Sequence, residues 1–250
     1  MVELVPVTEH VHLAQGEAVN WLLVADDTGV ILIDAGYPGD RADVLASLGA
    51  LGYHPADVRA VLLTHAHVDH LGAAVWLAKT HGTPVYCHAD EVGHAKREYL
   101  EQASPARVAT HLWRPSWAAW SVHVVRNGGL NTEGVPTAQP LTPEITSGLP
   151  GRPVAIPTPG HTRGHCSFLV DGVLASGDAL VTGHPVLPRR GPQLLPALFS
   201  HSPDDSLRSL AALALLETET LAPGHGDLWR GPIAEAANAA LAASARARRA

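Results

Sequence analysis

The segment that most constrains this chain runs from Ala60 to Gly72, where an apolar stretch is followed at once by histidines and aspartates. Residues 60–63 are short, branched and uninterrupted, which predicts a buried strand. The polar group follows the pattern H-x-H-x-D-H and comprises His65, His67, Asp69 and His70. Because residues 71–80 are predicted to form a helix, these side chains are expected on the loop between a strand and a helix.

The spacing of these side chains indicates a metal site. Since side chains alternate along extended backbone, His65, His67 and Asp69 can point in the same direction. Imidazole and carboxylate are ligands that zinc and iron accept. A catalytic zinc takes about three protein ligands and keeps an open position, so this cluster fits two neighbouring metal ions better than one. Helix capping by Asp69 is the alternative, but a cap leaves the histidines unexplained.

Composition bounds the class of protein. The 250 residues suffice for one large domain, with a net charge of -7 and an apolar share of 46%. Dispersed basic residues disfavour nucleic-acid binding, and no apolar run reaches the about 18 residues of a membrane span. The N-terminus does not resemble a signal peptide. With two cysteines far apart, Cys87 and Cys166, we expect a cytoplasmic protein with reduced thiols that acts on a small-molecule substrate.

Outside the histidine-rich segment, hydrophobic patterns predict strands alternating with helices. Strands are predicted at 11–14, 18–24, 30–33, 85–88, 154–157, 166–170, 173–176 and 220–222. Helices are predicted at 40–51, 90–100, 207–216 and 233–247. Arg246, Arg248 and Arg249 suit the C-terminal end of the last helix. This order predicts an α/β chain with helices covering mixed sheets.

We predict a single domain over residues 1–250, made of two similar halves at about 1–125 and 150–250. The joining segment is predicted to be loop-rich, because residues 127–153 contain many Gly, Pro and Thr. Just before it, three tryptophans fall at helical spacing: Trp113, Trp117 and Trp120. We expect this stripe to pack onto the core. The alternative is a lid that gives the metal site an apolar substrate wall.

Further ligand-type residues follow other predicted strands: His161, Asp178 and His225. Each lies next to a glycine, which allows the backbone to turn sharply and bring the side chain to a crowded centre. Asp34 also ends a strand. It is either a simple turn residue or a carboxylate that orients a metal-bound histidine.

Together these motifs resemble those of the metallo-β-lactamase superfamily of metal-dependent hydrolases. The matching segments are Ile33-Asp34-Ala35-Gly36, residues 64–70, residues 159–162, Ser176-Gly177-Asp178 and residues 223–226. The resemblance implies a four-layer αβ/βα sandwich, with two sheets face to face and helices outside. It also implies two divalent metal ions, for which we expect zinc, with iron or manganese as alternatives.

The resemblance further implies an assignment of ligands. The first ion would be bound by three histidines: His65, His67 and His161. The second would be bound by Asp69, His70 and His225. Asp178 would bridge the two ions, and Asp34 would support them without binding. Asp69 could also orient the attacking hydroxide.

Four weaker candidates surround this set. We expect His165 to pack beside the site without binding metal. Tyr37 could reach the pocket, although packing at the surface is the expected role. His184 and Arg189 follow Asp178 in a Pro-rich loop, which either binds a substrate carboxylate or is an exposed basic loop.

Within the superfamily, residues 158–165 resemble the corresponding run of glyoxalase II thioesterases, and lactonases share the ligand set. Only 25 residues follow His225, so we expect the glutathione-binding helical domain of glyoxalase II to be absent. A β-lactam hydrolase is disfavoured, because the best-known branch has Cys at the position of Asp178 and the other common branch lacks the bridging Asp. We expect a dinuclear hydrolase of a thioester, lactone or ester, with a phosphodiester still open.

The alternative from another class is an oxidoreductase. Persulfide dioxygenases resemble this pattern but hold a single iron with two histidines and one aspartate. Such a site would leave the ligands of the second ion unused. The sequence makes no prediction of oligomeric state.

Overall fold

Side chains alternate along the strands, and in the computed structural model, which describes residues 2–247, the central strands bury both faces. The first sheet contains seven strands, in the spatial order β1 to β7: Glu3–Pro6, Val11–Gln15, Asn20–Asp26, Gly29–Ile33, Val58–Leu62, Val85–Cys87 and Gln139–Pro140. Strands β1 to β4 form an antiparallel meander, to which β5, β6 and β7 add in parallel.

The second sheet contains five strands, β8 to β12: Val154–Pro157, Cys166–Val170, Val173–Gly177, Thr220–Pro223 and Trp229–Arg230. Their spatial order is β12-β11-β10-β9-β8, and only β10 and β11 pair in parallel. The parallel pair matters for the site, because the carboxyl ends of two parallel strands lie at the same edge of a sheet.

Eight α-helices lie in the described part of the chain, α1 to α8: Arg41–Ala50, Val68–His81, Val92–Ala95, Pro105–Ala109, Pro115–Arg126, Pro143–Ser147, Pro203–Leu213 and Ile233–Ala247. None of these helices combines the length and the hydropathy that a membrane span requires. Arg248 and Arg249, which we expected at the end of α8, lie outside the described residues.

Three apolar clusters pack the sheets and helices of the fold against one another. The middle cluster joins the inner faces of the two sheets, for example Ile33 against Phe168 and Val170. A second cluster packs the other face of the first sheet, including Leu32, against α1 and α2. The third packs the outer face of the second sheet against α7 and α8. Each fully buried side chain of this size contributes about 1.5–3 kcal/mol. These layers confirm the predicted αβ/βα sandwich; the division into two similar halves stays a prediction.

The structure corrects three predicted elements. Helix α2 begins at Val68 rather than at 71, so Asp69 and His70 lie on its first turn. The helix predicted at 90–100 ends at Ala95, because Arg97 adopts a left-handed conformation (φ 64°). Its guanidinium donates to the carbonyl of Ala66 at 2.7 Å. The segment 127–153 is not only loop: β7 pairs with β6, and Pro143 starts α6, where its fixed φ suits the first helical position.

Candidate metal centre

The predicted ligands meet where strands of both sheets end. His65 and His67 follow β5, with Asp69 and His70 on the first turn of α2. From the second sheet come three more side chains, after β8, β10 and β11 respectively: His161, Asp178 and His225. All seven are buried except Asp69, whose side chain is 15% exposed. The sandwich therefore brings together residues that are up to 160 positions apart, as the difference between 65 and 225 shows.

Asp178 lies at the centre of the cluster. Its Oδ2 atom is 3.3 Å from His161 Nε2, 3.4 Å from His225 Nε2 and 4.0 Å from His65 Nε2. Its Oδ1 atom is 3.5 Å from His70 Nε2. The two oxygens of one carboxylate thus face ligands that come from both sheets.

Three overlapping groups of side chains have ligand atoms within 4.8 Å of one another: His65 with His67 and His161, His65 with His70 and Asp178, and Asp69 with His70 and His225. Within the described residues, the buried atoms that have no hydrogen-bond partner include His65 Nε2, His70 Nε2 and Asp178 Oδ1. A buried polar atom without a partner costs about 1–3 kcal/mol. Coordination of a metal ion would remove that cost, so the donor set fits divalent metal ions.

Two histidines are oriented by hydrogen bonds to backbone carbonyls on the far side of the ring. His225 Nδ1 donates to the Ala18 carbonyl at 2.6 Å, and His67 Nε2 donates to the Glu101 carbonyl at 2.6 Å. Since a carbonyl only accepts, each bond fixes the tautomer and leaves the opposite nitrogen with its lone pair towards the cluster. His67 therefore presents Nδ1, which lies 2.9 Å from His161 Nε2.

Asp34 orients two ligands at once. Its Oδ2 atom accepts from His70 Nδ1 and from Thr64 Oγ1, each at 2.8 Å, and its Oδ1 accepts from the Thr64 amide at 2.8 Å. Since the Thr64 hydroxyl donates to Asp34, it can accept from His65 Nδ1 at 3.0 Å. Asp34 itself has a φ of 63°, a conformation that costs of order 1–3 kcal/mol outside glycine. Its position thus agrees with the orienting role rather than with a simple turn.

His165 supports the centre through the backbone. Its Nε2 accepts from the Asp178 amide at 3.0 Å, and its Nδ1 lies 2.8 Å from Thr158 Oγ1. Burial lowers the pKa of His165 to about 4, which keeps the ring neutral and its Nε2 able to accept. The structure places His165 in none of the metal-binding groups.

Glu91, which sequence reasoning missed, ties the two sides of the centre together. It is fully buried and accepts from the Ala66 amide at 2.9 Å, His94 Nδ1 at 2.7 Å, Thr162 Oγ1 at 2.8 Å and the Gly164 amide at 3.1 Å. Burial alone would raise the pKa of Glu91, but these bonds outweigh it and lower the pKa. The only signal in the sequence is His94 three residues later, a spacing that suits a hydrogen bond on one helical turn.

Asn20, also missed, fixes the loop that carries His225. Its side-chain amide donates to the Pro223 carbonyl at 3.0 Å and to the Gly226 carbonyl at 2.8 Å. Its backbone amide donates to the Gly224 carbonyl at 2.8 Å. Three hydrogen bonds from Asn20 in the first sheet therefore hold the loop of the second sheet that carries His225.

The charges of the centre favour a bound cation. Burial lowers the pKa of His65 and His161 well below the usual value, so both rings are neutral, the form that binds metal. Burial also lowers the pKa of His70, but the carboxylates of Asp34, Asp178 and Asp69 outweigh it and raise the pKa to about 10. The same carboxylates that hold a proton there would stabilise a metal ion.

A pocket of about 280 Å³ opens onto the centre, with His67, Asp69, Asp178 and His225 at its base. Tyr37 also lines it and is only 2% exposed, so it does not pack at the surface as we expected. Burial first, and then the nearby carboxylate of Asp69, raise the pKa of the Tyr37 phenol well above its usual value.

The remaining candidates, His184, Arg189 and the tryptophan stripe, differ in their positions relative to the pocket. His184 lines the pocket with its ring 4.7 Å from that of His225, and it also borders a second, polar cleft beside Asn20. Arg189 lines only that second cleft of the two. The tryptophan stripe also divides: Trp117 is buried, Trp120 lines the pocket and Trp113 is 76% exposed. The predicted packing on the core thus fits Trp117, and the predicted apolar wall of the metal site fits Trp120.

Comparisons with known proteins agree with this geometry. The family model of the metallo-beta-lactamase superfamily matches residues 14–225. The probable metallo-hydrolase YflN of Bacillus subtilis is 28% identical, and the match covers 82% of this chain and 78% of that protein. A hydroxyacylglutathione hydrolase of Alkalilimnicola ehrlichii is 31% identical, over 81% of this chain but 59% of that protein.

Among solved structures, a metallo-beta-lactamase family protein of Thermus thermophilus is similar, with a TM-score of 0.62 and 25% identity. The superposition covers 92% of this chain and 75% of that one. The sandwich, the buried His/Asp cluster and these relatives agree. The chain therefore belongs to the metallo-beta-lactamase superfamily and is a metal-dependent hydrolase.

Proposed function

We propose that this protein hydrolyses a small acyl compound, a thioester, lactone or ester, at a centre of two divalent metal ions. The observation that carries the proposal is the division of the cluster into two sets of ligands that meet at Asp178. One group of neighbouring ligand atoms comes from His65, His67 and His161, and another, with no shared member, comes from Asp69, His70 and His225. Asp178 forms a third group with one histidine of each, His65 and His70. A single ion would leave part of this buried set without a partner, at the cost described above.

The nitrogen and oxygen donors favour zinc as the metal. When bound, such ions lower the pKa of water towards 7 and polarise the carbonyl oxygen of a substrate. The ligands then need no proton of their own, because the bonds from Asp34, Ala18 and Glu101 already fix their tautomers.

Asp69 is the carboxylate placed to act on the substrate side. It is the more exposed of the two aspartates, with 15% of its side chain accessible against 3% for Asp178. Tyr37 lines the pocket beside it. Asp69 can therefore orient the attacking hydroxide and receive a proton that passes to the leaving group.

The relatives support an acyl substrate, since one of them is a hydroxyacylglutathione hydrolase. That protein matches over only 59% of its length, so its own substrate does not carry over to this chain. A β-lactam hydrolase has no feature of the site in its favour beyond the fold. For an iron dioxygenase, the ligands of the second ion would have no role.

The test is metal analysis of the purified protein, followed by a panel of lactones, thioesters, esters, phosphodiesters and β-lactams. We expect about two zinc ions per chain and hydrolysis of acyl compounds that is lost with a chelator and restored by zinc. One iron per chain, with oxygen consumption on a persulfide, would replace this proposal with the dioxygenase. Phosphodiester hydrolysis without acyl hydrolysis would refute the substrate class.

A further inference from the structure

One side of the pocket above the metal centre is apolar. We define the apolar wall as six side chains from the loop after α4, from α5 and its C-terminal loop, and from the turn at Ala197–Phe199: Leu112, Trp120, Val124, Val125, Leu130 and Phe199. Three of them are exposed although they are large and hydrophobic, at 43% for Leu112, 57% for Val125 and 61% for Leu130. Exposed apolar side chains that gather in one pocket mark a ligand site.

The wall is continuous with the reacting centre. Phe199 and Trp120 pack ring against ring at 5.6 Å, Trp120 lies 5.5 Å from the ring of His184, and His184 lies 4.7 Å from His225. A substrate whose carbonyl lies at the metal centre therefore places the rest of its structure along these rings.

The charges of the pocket exclude one kind of substrate arm. Among the described residues that line it there is no lysine and no arginine, and its carboxylates are Asp69 and Asp178 of the metal centre. The glutathione part of an acylglutathione carries two carboxylates and one ammonium group, and along this wall the carboxylates would lose their hydration without a lysine or arginine to pair with.

From these observations, and on the basis of the proposed acyl hydrolysis, we propose that the substrate carries an uncharged, mainly apolar arm that lies against the apolar wall. The arm is aliphatic or aromatic. A pocket of about 280 Å³ has room for more than the reacting group alone. The preferred arm thus has several carbons.

The first experiment measures kcat/KM of the zinc-loaded enzyme on two ester series. One lengthens the acyl group from acetyl to decanoyl, and the other lengthens the alcohol over the same range. We expect kcat/KM to rise about fourfold per added methylene in at least one series until the pocket is full. A flat profile in both series would overturn the proposal.

A second comparison tests charge with the acyl group held constant. We expect an uncharged alkyl thioester to be hydrolysed with at least about tenfold higher kcat/KM than the glutathione thioester. A preference for the glutathione thioester would overturn the proposal while leaving the acyl hydrolysis intact. If no ester, thioester or lactone is hydrolysed in a zinc-dependent way, the proposed function itself fails.

A pair of variants on α5 locates the effect. Val125 lines the pocket, whereas Val122, on the same helix and 49% exposed, does not. Val125→Asp should reduce the ratio of octanoate to acetate kcat/KM about tenfold. Val122→Asp adds the same charge at a comparable exposure and should leave that ratio unchanged. Equal ratios in both variants and wild type, with metal content retained, would show that the arm does not lie on this wall.

Discussion

The metal centre and the apolar wall are built in opposite ways. The proposed ligands lie after the ends of buried strands and on the first turn of α2. Hydrogen bonds to Asp34, Ala18 and Glu101 hold four of their rings directly or through Thr64. The wall stands on helices and loops with few such restraints: of the side chains of α5, only that of Trp117 is buried. The proposed chemistry thus depends on the sandwich, while the proposed substrate selection depends on a surface that can change without disturbing the sandwich.

Among the variants considered, a change at Asp178 should have the largest effect on the metal centre. Asp178→Ala removes the carboxylate that faces both sets of ligands, so we expect loss of bound metal and a fall in kcat/KM of more than about 100-fold, beyond the usual 10–100-fold effect of residues that only support ligands. Metal content by elemental analysis and kcat/KM on the best ester measure it. Retention of both would refute the ligand assignment.

Asp34→Asn weakens the support of the ligands and leaves them in place. Asparagine tolerates the left-handed backbone at this position, but it removes the charge that His70 and Thr64 contact. We expect metal affinity to fall about 10–100-fold, as measured by competition with a chelator.

Asp171→Asn is the matched control for that variant, since Asp171 also has a positive φ (49°) and lies on the exposed β9–β10 turn. It should keep wild-type metal affinity. Equal affinities in both variants would contradict an orienting role for Asp34.

Glu91→Gln tests the hydrogen bonds by which Glu91 connects the two sides of the metal centre. Four groups donate to Glu91, so we expect the free energy of unfolding to fall by about 1–3 kcal/mol. The pKa of Glu91 is lowered from its ordinary 4.5 in the folded protein. Its contribution is therefore present above pH 4.5 and is lost as the pH falls through the folded pKa.

Denaturant unfolding between acid and neutral pH measures this effect. The difference between wild type and Glu91→Gln should be largest near neutrality and should shrink in acid. Glu98→Gln makes the same change at an exposed residue and should stay within about 0.5 kcal/mol of wild type. A difference that does not depend on pH would mean that the charge of Glu91 is not what matters.

The smallest effect is expected outside both regions. Trp113 is 76% exposed and does not line the pocket, so Trp113→Ala should change stability by no more than about 0.5 kcal/mol and leave kcat/KM within experimental error. Thermal unfolding and ester hydrolysis check this. A large loss of activity would extend the wall to the whole tryptophan stripe.

The contrast between residues at strand ends and residues brought together by loops also explains which parts of the site could be predicted from the sequence. The proposed ligands and Asp34 could be recognised from the sequence because they lie at or a few residues after the ends of strands that the hydrophobic pattern identifies. Glu91 could not be, because its partners Ala66, Thr162 and Gly164 come from separate loops that only the folded sandwich brings together. Tyr37 and the early end of the helix at Ala95 depend on tertiary contacts in the same way.

The origin of the ligands in both sheets sets when the protein can be loaded. Each proposed set, His65 and His67 with His161, or Asp69 and His70 with His225, needs residues from the two sheets. During synthesis, we therefore expect the first set to be complete only after β8 and His161 have emerged, and the second only after β11 and His225 have emerged. Removal of the metal from the folded enzyme with a chelator would conversely weaken the contact between the two sheets. A protease should therefore cleave the metal-free protein faster than the metal-loaded protein.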